Sequence, residues 1–211
     1  HLALLSYLAK KIEEKENNEI AEIIEYTQKS LSEFLDINKF ISDPRSFTLI
    51  ETDLSAELNR LVNVFKIITS DKKILEEGIR LREFQYDPIV KASLSGNLFC
   101  GNYNEISIDP LILPVGISKL IFKEIIVNAI QHAKWDEPKV EINISDEEDK
   151  ICFIFNNNVT SDMIDKLNES VSNNNHGRNL IESLSNKIGW SIYYSGHIDE
   201  LKVRCTVHIK K

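Results

Sequence analysis

From about Val115 to Ala133 the chain carries a run whose apolar residues recur at helical steps, with Ile117, Ile121, Ile125, Ala129 and Ala133 on one face. So apolar a helix has to be covered by other elements. The next segments supply the cover. Val140, Ile142 and Ile144 alternate with polar residues, as a half-buried strand does. After the acidic turn Asp146 to Asp149, Ile151-Cys152-Phe153-Ile154-Phe155 reads as a buried strand by its apolar continuity. A polar, asparagine-rich stretch runs from Asn156 to Asn175, where Met163, Ile164 and Leu167 suggest a short amphipathic helix. A further helix then carries Leu180, Ile181, Leu184 and Ile188 and stops at Gly189. Two strands close the chain, the last turning Val203, Cys205, Val207 and Ile209 inward and Arg204, Thr206, His208 and Lys210 outward. Helix, strand, strand, loop, helix, strand, strand predicts an α+β fold, a two-layer sandwich of helices on a mostly hairpin-joined sheet.

Upstream the periodicity is helical. Leu2, Leu5, Leu8 and Ile12 form one stripe, and Glu16-Asn17-Asn18 breaks it. Ile20, Ile23, Ile24, Leu31, Phe34, Leu35 and Phe40 form a second, which Asp43-Pro44 ends. This predicts an N-terminal helical hairpin over residues 1–43 and a second unit over 44–211. A hairpin cannot bury its stripe alone. It packs on the rest of the chain, or two copies pair into a four-helix bundle and make a homodimer. Phe47 to Ile50 could form a short strand, and Asp53 is a good N-cap for a helix bearing Leu54, Leu58, Leu61, Val62, Phe65 and Ile68. Residues 79–109 read as mixed, with strand-like runs at Ile79-Arg80-Leu81, Ile89 to Ala92 and Ile106 to Ile108. Turn signals fall at Asp87-Pro88, Gly96-Asn97 and Gly101-Asn102.

Composition bounds the function. Hydrophobic residues make up 42% and charged residues 27%, enough to bury a core. The net charge of -8 disfavours nucleic acid as a partner, since phosphate neutralisation needs clustered cations. No apolar run reaches the roughly 18 residues of a membrane helix, so no membrane segment is expected in this chain. Cys100, Cys152 and Cys205 are widely spaced without a CxxC pair, which points to a reducing, cytoplasmic setting, with Cys152 and Cys205 as buried strand cysteines.

The chemistry-bearing pattern lies on the long helix. Glu124, Asn128 and His132 stand at i, i+4 and i+8 and share a face distinct from the isoleucine face. A carboxylate and an amide oxygen are hard ligands that suit magnesium, which reaches phosphates with few protein ligands. A solvated polar face is the alternative.

The run Glu124 to Ala133 resembles the asparagine-bearing helix of the Bergerat-fold (GHKL) ATPases, most closely its histidine-kinase version, where Asn-Ala is followed by a histidine. The resemblance implies that Asn128 coordinates magnesium on the phosphates of ATP, that Glu124 acts as or positions a general base, and that His132 lines the nucleotide site. His176-Gly177-Arg178-Asn179-Leu180-Ile181 is similar to the last glycine box of these kinases. On that likeness His176, Gly177, Asn179 and Leu180 meet the nucleotide, with backbone amides approaching phosphate at a helix N-terminus. Asn179 stands where a second glycine would be, and asparagine tolerates positive φ better than most residues.

One departure weighs on ligand binding. Where the family carries an Asp that accepts the adenine amino group, this chain has Asn156-Asn157-Asn158. An amide oxygen still accepts a hydrogen bond, but it brings no charge, and charge-assisted bonds are roughly twice as strong. The loop from Asn158 to His176 would be the nucleotide lid and has no glycine.

The hairpin ahead of this domain looks like the dimerisation and phosphotransfer segment of a two-component sensor kinase. Three readings of His1 stand: an atypical phosphoacceptor, a later step of that box with the true histidine upstream, or a purification-tag remnant. Together these imply a sensor histidine kinase core that transfers the γ-phosphoryl group of magnesium-ATP to a histidine. From there it passes to an aspartate on a response-regulator receiver domain. The alternatives are an ATP-binding-deficient histidine phosphotransferase or receiver-docking pseudokinase, and a Bergerat-type regulator without histidine chemistry.

Overall fold

The computed structural model describes residues 48–162, 164 and 176–211, with backbone alone at 176–180. The expected hairpin at 1–43, His1 and the lid stretch 165–175 lie outside the described residues.

A mixed five-stranded sheet forms one layer and helices form the other. Strand β1 spans Leu49–Thr52, and helix α1 spans Leu54–Ser70. Asp53 caps α1, its carboxylate accepting from the Ala56 N–H at 2.9 Å. Helix α2 spans Lys72–Gly78, with Asp71 accepting from the N–H groups of Lys73 and Ile74. A 3₁₀ turn at Glu83–Gln85 leads into α3, Tyr86–Leu94. Strand β2 (Phe99–Cys100), β3 (Leu111–Pro114) and helix α4 (Ile117–Gln131) follow. Then come β4 (Val140–Asp146), β5 (Lys150–Asn158), α5 (His176–Lys187), β6 (Ser191–His197) and β7 (Lys202–Lys210).

The sheet order is β2-β4-β5-β7-β6, and β1 and β3 pair apart from it as an antiparallel ribbon. Within the large sheet only β2 and β4 run parallel. The inward register follows the alternation read from the sequence: Ile151 faces Ile209, Phe153 faces Val207 and Phe155 faces Cys205. Phe122 of α4 sits over this face, 4.8 Å from the ring of Phe153, 5.9 Å from Phe155 and 6.0 Å from Trp190. From α5, Ile181 and Leu184 are buried in the same core. Cys152 and Cys205 are buried and in no disulfide, as expected.

Several expectations for residues 72–114 change. Ile89 to Ala92 lies inside α3 rather than in a strand, and Asp87-Pro88 marks a helix start rather than a turn. Proline is tolerated in the first helical turn, where its missing N–H has no partner to lose. Ile79 to Leu81 and Ile106 to Ile108 are not strands; the strands of this region are Phe99–Cys100 and Leu111–Pro114, the latter in register with β1 from Leu49↔Pro114 to Thr52↔Leu111. The long helix begins at Ile117 behind Gly116, whose φ of 74° turns the chain in from β3. The asparagines at 156–158 continue β5 rather than opening a loop, because β4 and β7 hydrogen-bond them on both sides.

Candidate functional site

Helix α4 buries Ile121, Phe122, Ile125, Ile126, Ala129 and Ile130 against the sheet. Its neighbouring stripe is only half-buried, and Glu124 and Asn128 lie on it one turn apart. Neither makes a side-chain hydrogen bond among the described residues. The Glu124 carboxylate acts on Lys123, whose pKa burial pushes below its ordinary value against that attraction. Among the described residues no three His, Cys, Asp or Glu side chains gather closely enough to enclose a metal. Glu124 and Asn128 nevertheless present two hard oxygen donors on one face, a set that fits magnesium bound mainly through a ligand's phosphates.

The helix ends at Gln131, so His132 is its C-cap, the backbone N–H bonding back to the Asn128 carbonyl at 3.1 Å. Its side chain stands at the end of the ridge, open to solvent on one side. The protein packed around it lowers its pKa below the ordinary histidine value, and the positive charge of Arg82 lowers it further.

The three asparagines of β5 divide by the alternation of the strand. Asn156 points away from the helices, and its Oδ1 accepts from Arg204 Nε at 2.9 Å. Asn158 is built into the fold: its Nδ2 donates to the Glu137 carbonyl, and its Oδ1 accepts from the Lys139 N–H at 2.9 Å. The Asn158 carbonyl accepts from the Lys134 N–H at 2.7 Å, which ties the end of β5 to the end of α4. Asn157 shares the helix-facing side with Phe153 and Phe155. It is 6% exposed, and its Nδ2 is buried without a hydrogen-bond partner. A buried donor left unmade costs about 1–3 kcal/mol, so such a group commonly serves a bound partner or water. Of the three, Asn157 is the one whose amide nitrogen is buried under the helix layer with no partner among the described residues.

His176, Gly177, Asn179 and Leu180 form the opening turns of α5, which packs on α4.

Residues that the sequence did not mark complete the surroundings. A cavity of about 350 Å³ lies beside His132, and Arg80, Arg82, Phe84, Trp135 and Thr160 are among its lining residues. The signal for it was slight: a pair of arginines two residues apart, far in sequence from the helix they face.

No protein-family model matches the chain, and no curated protein matches it in sequence. Solved structures do resemble it. One is the catalytic domain of the histidine kinase ThkA in a nucleotide-free form, 14% identical, with a TM-score of 0.50 over 78% of this chain and 97% of that one. Another is the histidine kinase domain of the blue-light activated histidine kinase from Erythrobacter litoralis EL346. It is 15% identical, with a TM-score of 0.50 over 99% of this chain and 87% of that one. No helix among the described residues is long and apolar enough to cross a membrane. At these identities the likeness speaks for architecture: the chain shares the fold of histidine-kinase catalytic domains.

Proposed function

We propose that the chain is the cytoplasmic core of a sensor histidine kinase. Residues 44–211 bind ATP over the α4 ridge, and residues 1–43 serve dimerisation and phosphotransfer. What carries the reading is the pairing of a half-buried, unbonded Glu124 and Asn128 with the unpartnered Asn157 amide beneath the same helix layer.

On this reading Asn157 meets the purine edge through its amide. The opening turns of α5, from His176 through Gly177 to Asn179 and Leu180, lie against the phosphates. Asn156 and Asn158 shape the strand end rather than touching the base, since their side chains are already bonded. Asn128 and Glu124 would hold magnesium, which supplies charge neutralisation on the phosphate oxygens. Glu124 orients the acceptor imidazole and takes its proton as the N–P bond forms and the bond to the ADP oxygen breaks. The phosphoryl group then moves from the histidine nitrogen to an aspartate oxygen of a receiver domain. Protein groups contribute here mainly by positioning and electrostatic stabilisation. His1 is one candidate acceptor.

Calorimetry with magnesium and a nonhydrolysable ATP analogue tests the proposal: binding heat is expected, and Asn128→Ala is expected to abolish it. No heat at millimolar nucleotide would reject the ATP reading. The second reading, a phosphotransferase or receiver-docking pseudokinase that no longer binds ATP, draws support from the uncharged Asn157 where a carboxylate would bind adenine more strongly.

A further inference from the structure

The cavity beyond His132 has a built wall. Gln85 is 6% exposed, its Nε2 donating to the Ala133 carbonyl at 3.1 Å and its Oε1 accepting from the Arg82 N–H at 3.3 Å. Gln131 Nε2 donates to the Arg80 carbonyl at 3.4 Å. Two glutamines therefore stitch the 80–85 segment to the end of α4, and the arginines at 80 and 82 are delivered to the cavity on anchored backbone.

Of the nearby acids, Asp136 pairs at 3.1 Å with Lys134, itself part of the cavity lining, and Asp87 pairs with Lys72 at 2.6 Å. Neither Arg80 nor Arg82 has an ion-pair or side-chain hydrogen-bond partner among the described residues. In a chain of net charge -8, two unneutralised guanidinium groups on one small cavity run against the bulk field. The field is felt inside the cavity, since the Arg82 charge acts on the His132 imidazole. Two aromatic rings also line it: Phe84 and Trp135 meet edge to face at 5.7 Å and stay 51% and 49% exposed. Guanidinium forks match phosphate geometry and keep their charge at any working pH.

We propose that this cavity binds a phosphate chain, with Arg80 and Arg82 as its cationic contacts and Trp135 beside it. The site is separate from the ridge, whose metal-bound phosphates lie further back along α4 at Glu124 and Asn128.

The test uses the full chain and two ligands, magnesium-ATP and sodium tripolyphosphate without metal. Calorimetry measures affinity and tryptophan emission reports location, because the other tryptophan, Trp190, is buried in the core. Tripolyphosphate should change the emission, and Trp135→Phe should remove that change. The Arg80→Gln, Arg82→Gln double variant should weaken tripolyphosphate binding by about tenfold or more, as loss of charge-assisted hydrogen bonds implies. Asn128→Ala should leave tripolyphosphate binding unchanged, since that residue serves the metal. A tripolyphosphate affinity that the double variant leaves unchanged would overturn the cavity proposal, and magnesium-ATP heat that persists in that variant leaves the ridge reading standing. Arginine-dependent tripolyphosphate binding without any ATP binding would support the cavity as a phosphate site and reject the ridge reading.

Discussion

Gln85 offers a test of how the 80–85 segment is held. Its amide makes two long-range or turn-closing bonds in a buried setting, to the Ala133 carbonyl at 3.1 Å and from the Arg82 N–H at 3.3 Å. Gln85→Leu keeps roughly the volume and removes both. An unmade buried bond costs about 1–3 kcal/mol; the well-placed Ala133 bond falls in that range and the longer Arg82 bond near its floor, so the sum is about 2–4 kcal/mol. With a urea slope of about 2–3 kcal/mol/M, the unfolding midpoint should drop by about 1 M. Gln85→Glu adds a sign. The ionised carboxylate cannot donate to the Ala133 carbonyl, and burial raises its pKa in the folded state above the unfolded value. Its deficit should therefore be full at pH 8 and shrink as pH falls through the raised folded pKa, where the protonated acid can donate again. Urea melts at two pH values read both effects. A Gln85→Leu loss below about 0.5 kcal/mol, the range of ordinary surface changes, would refute the claim that Gln85 anchors the segment.

Two further outcomes are expected. Arg82→Gln should raise the pKa of His132 without restoring it to 6.5, because burial is the larger cause of its depression; histidine proton NMR reads the shift, and no change would mean that the Arg82 charge does not reach the imidazole. With its folded pKa depressed, His132 binds more protons in the unfolded chain, so its stability contribution is present above 6.5 and lost as pH falls below that value; Arg82→Gln should narrow that loss. Gly101→Ala should cost about 2 kcal/mol or more, since φ is +112° and the added Cβ would lie 2.0 Å from the Ile142 carbonyl oxygen, a backbone atom that cannot rotate away. A thermal melt that matches the unmutated protein would contradict this packing.

Periodicity made the second half of the chain legible. The isoleucine repeat of α4 and the alternation of β4 and β7 reflect one buried face each, and burial of one face is what sequence periodicity records. Residues 72–114 lacked that signal. Helix α2 is a turn or two long and buries only Ile74 and Leu75, while α3 begins across a proline that reads as a break. Strand β3 is a continuous apolar run ending in proline, paired with a partner some sixty positions earlier that no local pattern reveals. The site divides in the same way. Glu124 and Asn128 share a helix face with His132 at its C-cap, and all three could be found by counting. That Asn157, rather than its two neighbours, keeps a free amide depends on the strand continuing and on what Arg204 and Glu137 hold. The arginine cavity depends on Gln85 reaching Ala133 across the fold.

The short strand β2 covers β4 only at Val140 and Glu141, although β4 continues to Asp146. Beyond it, Asn102 takes the place of a missing neighbour: its Oδ1 accepts from the Ile144 N–H at 2.6 Å, and its Nδ2 donates to the Ile144 carbonyl at 3.0 Å. The Asn143 Oδ1 in turn accepts from the Asn102 N–H at 3.2 Å. Polar groups that would otherwise invite a foreign strand are thus occupied by a side chain that cannot itself template another. Through one residue, the border of β4 is occupied at Ile144, past the point where β2 ends.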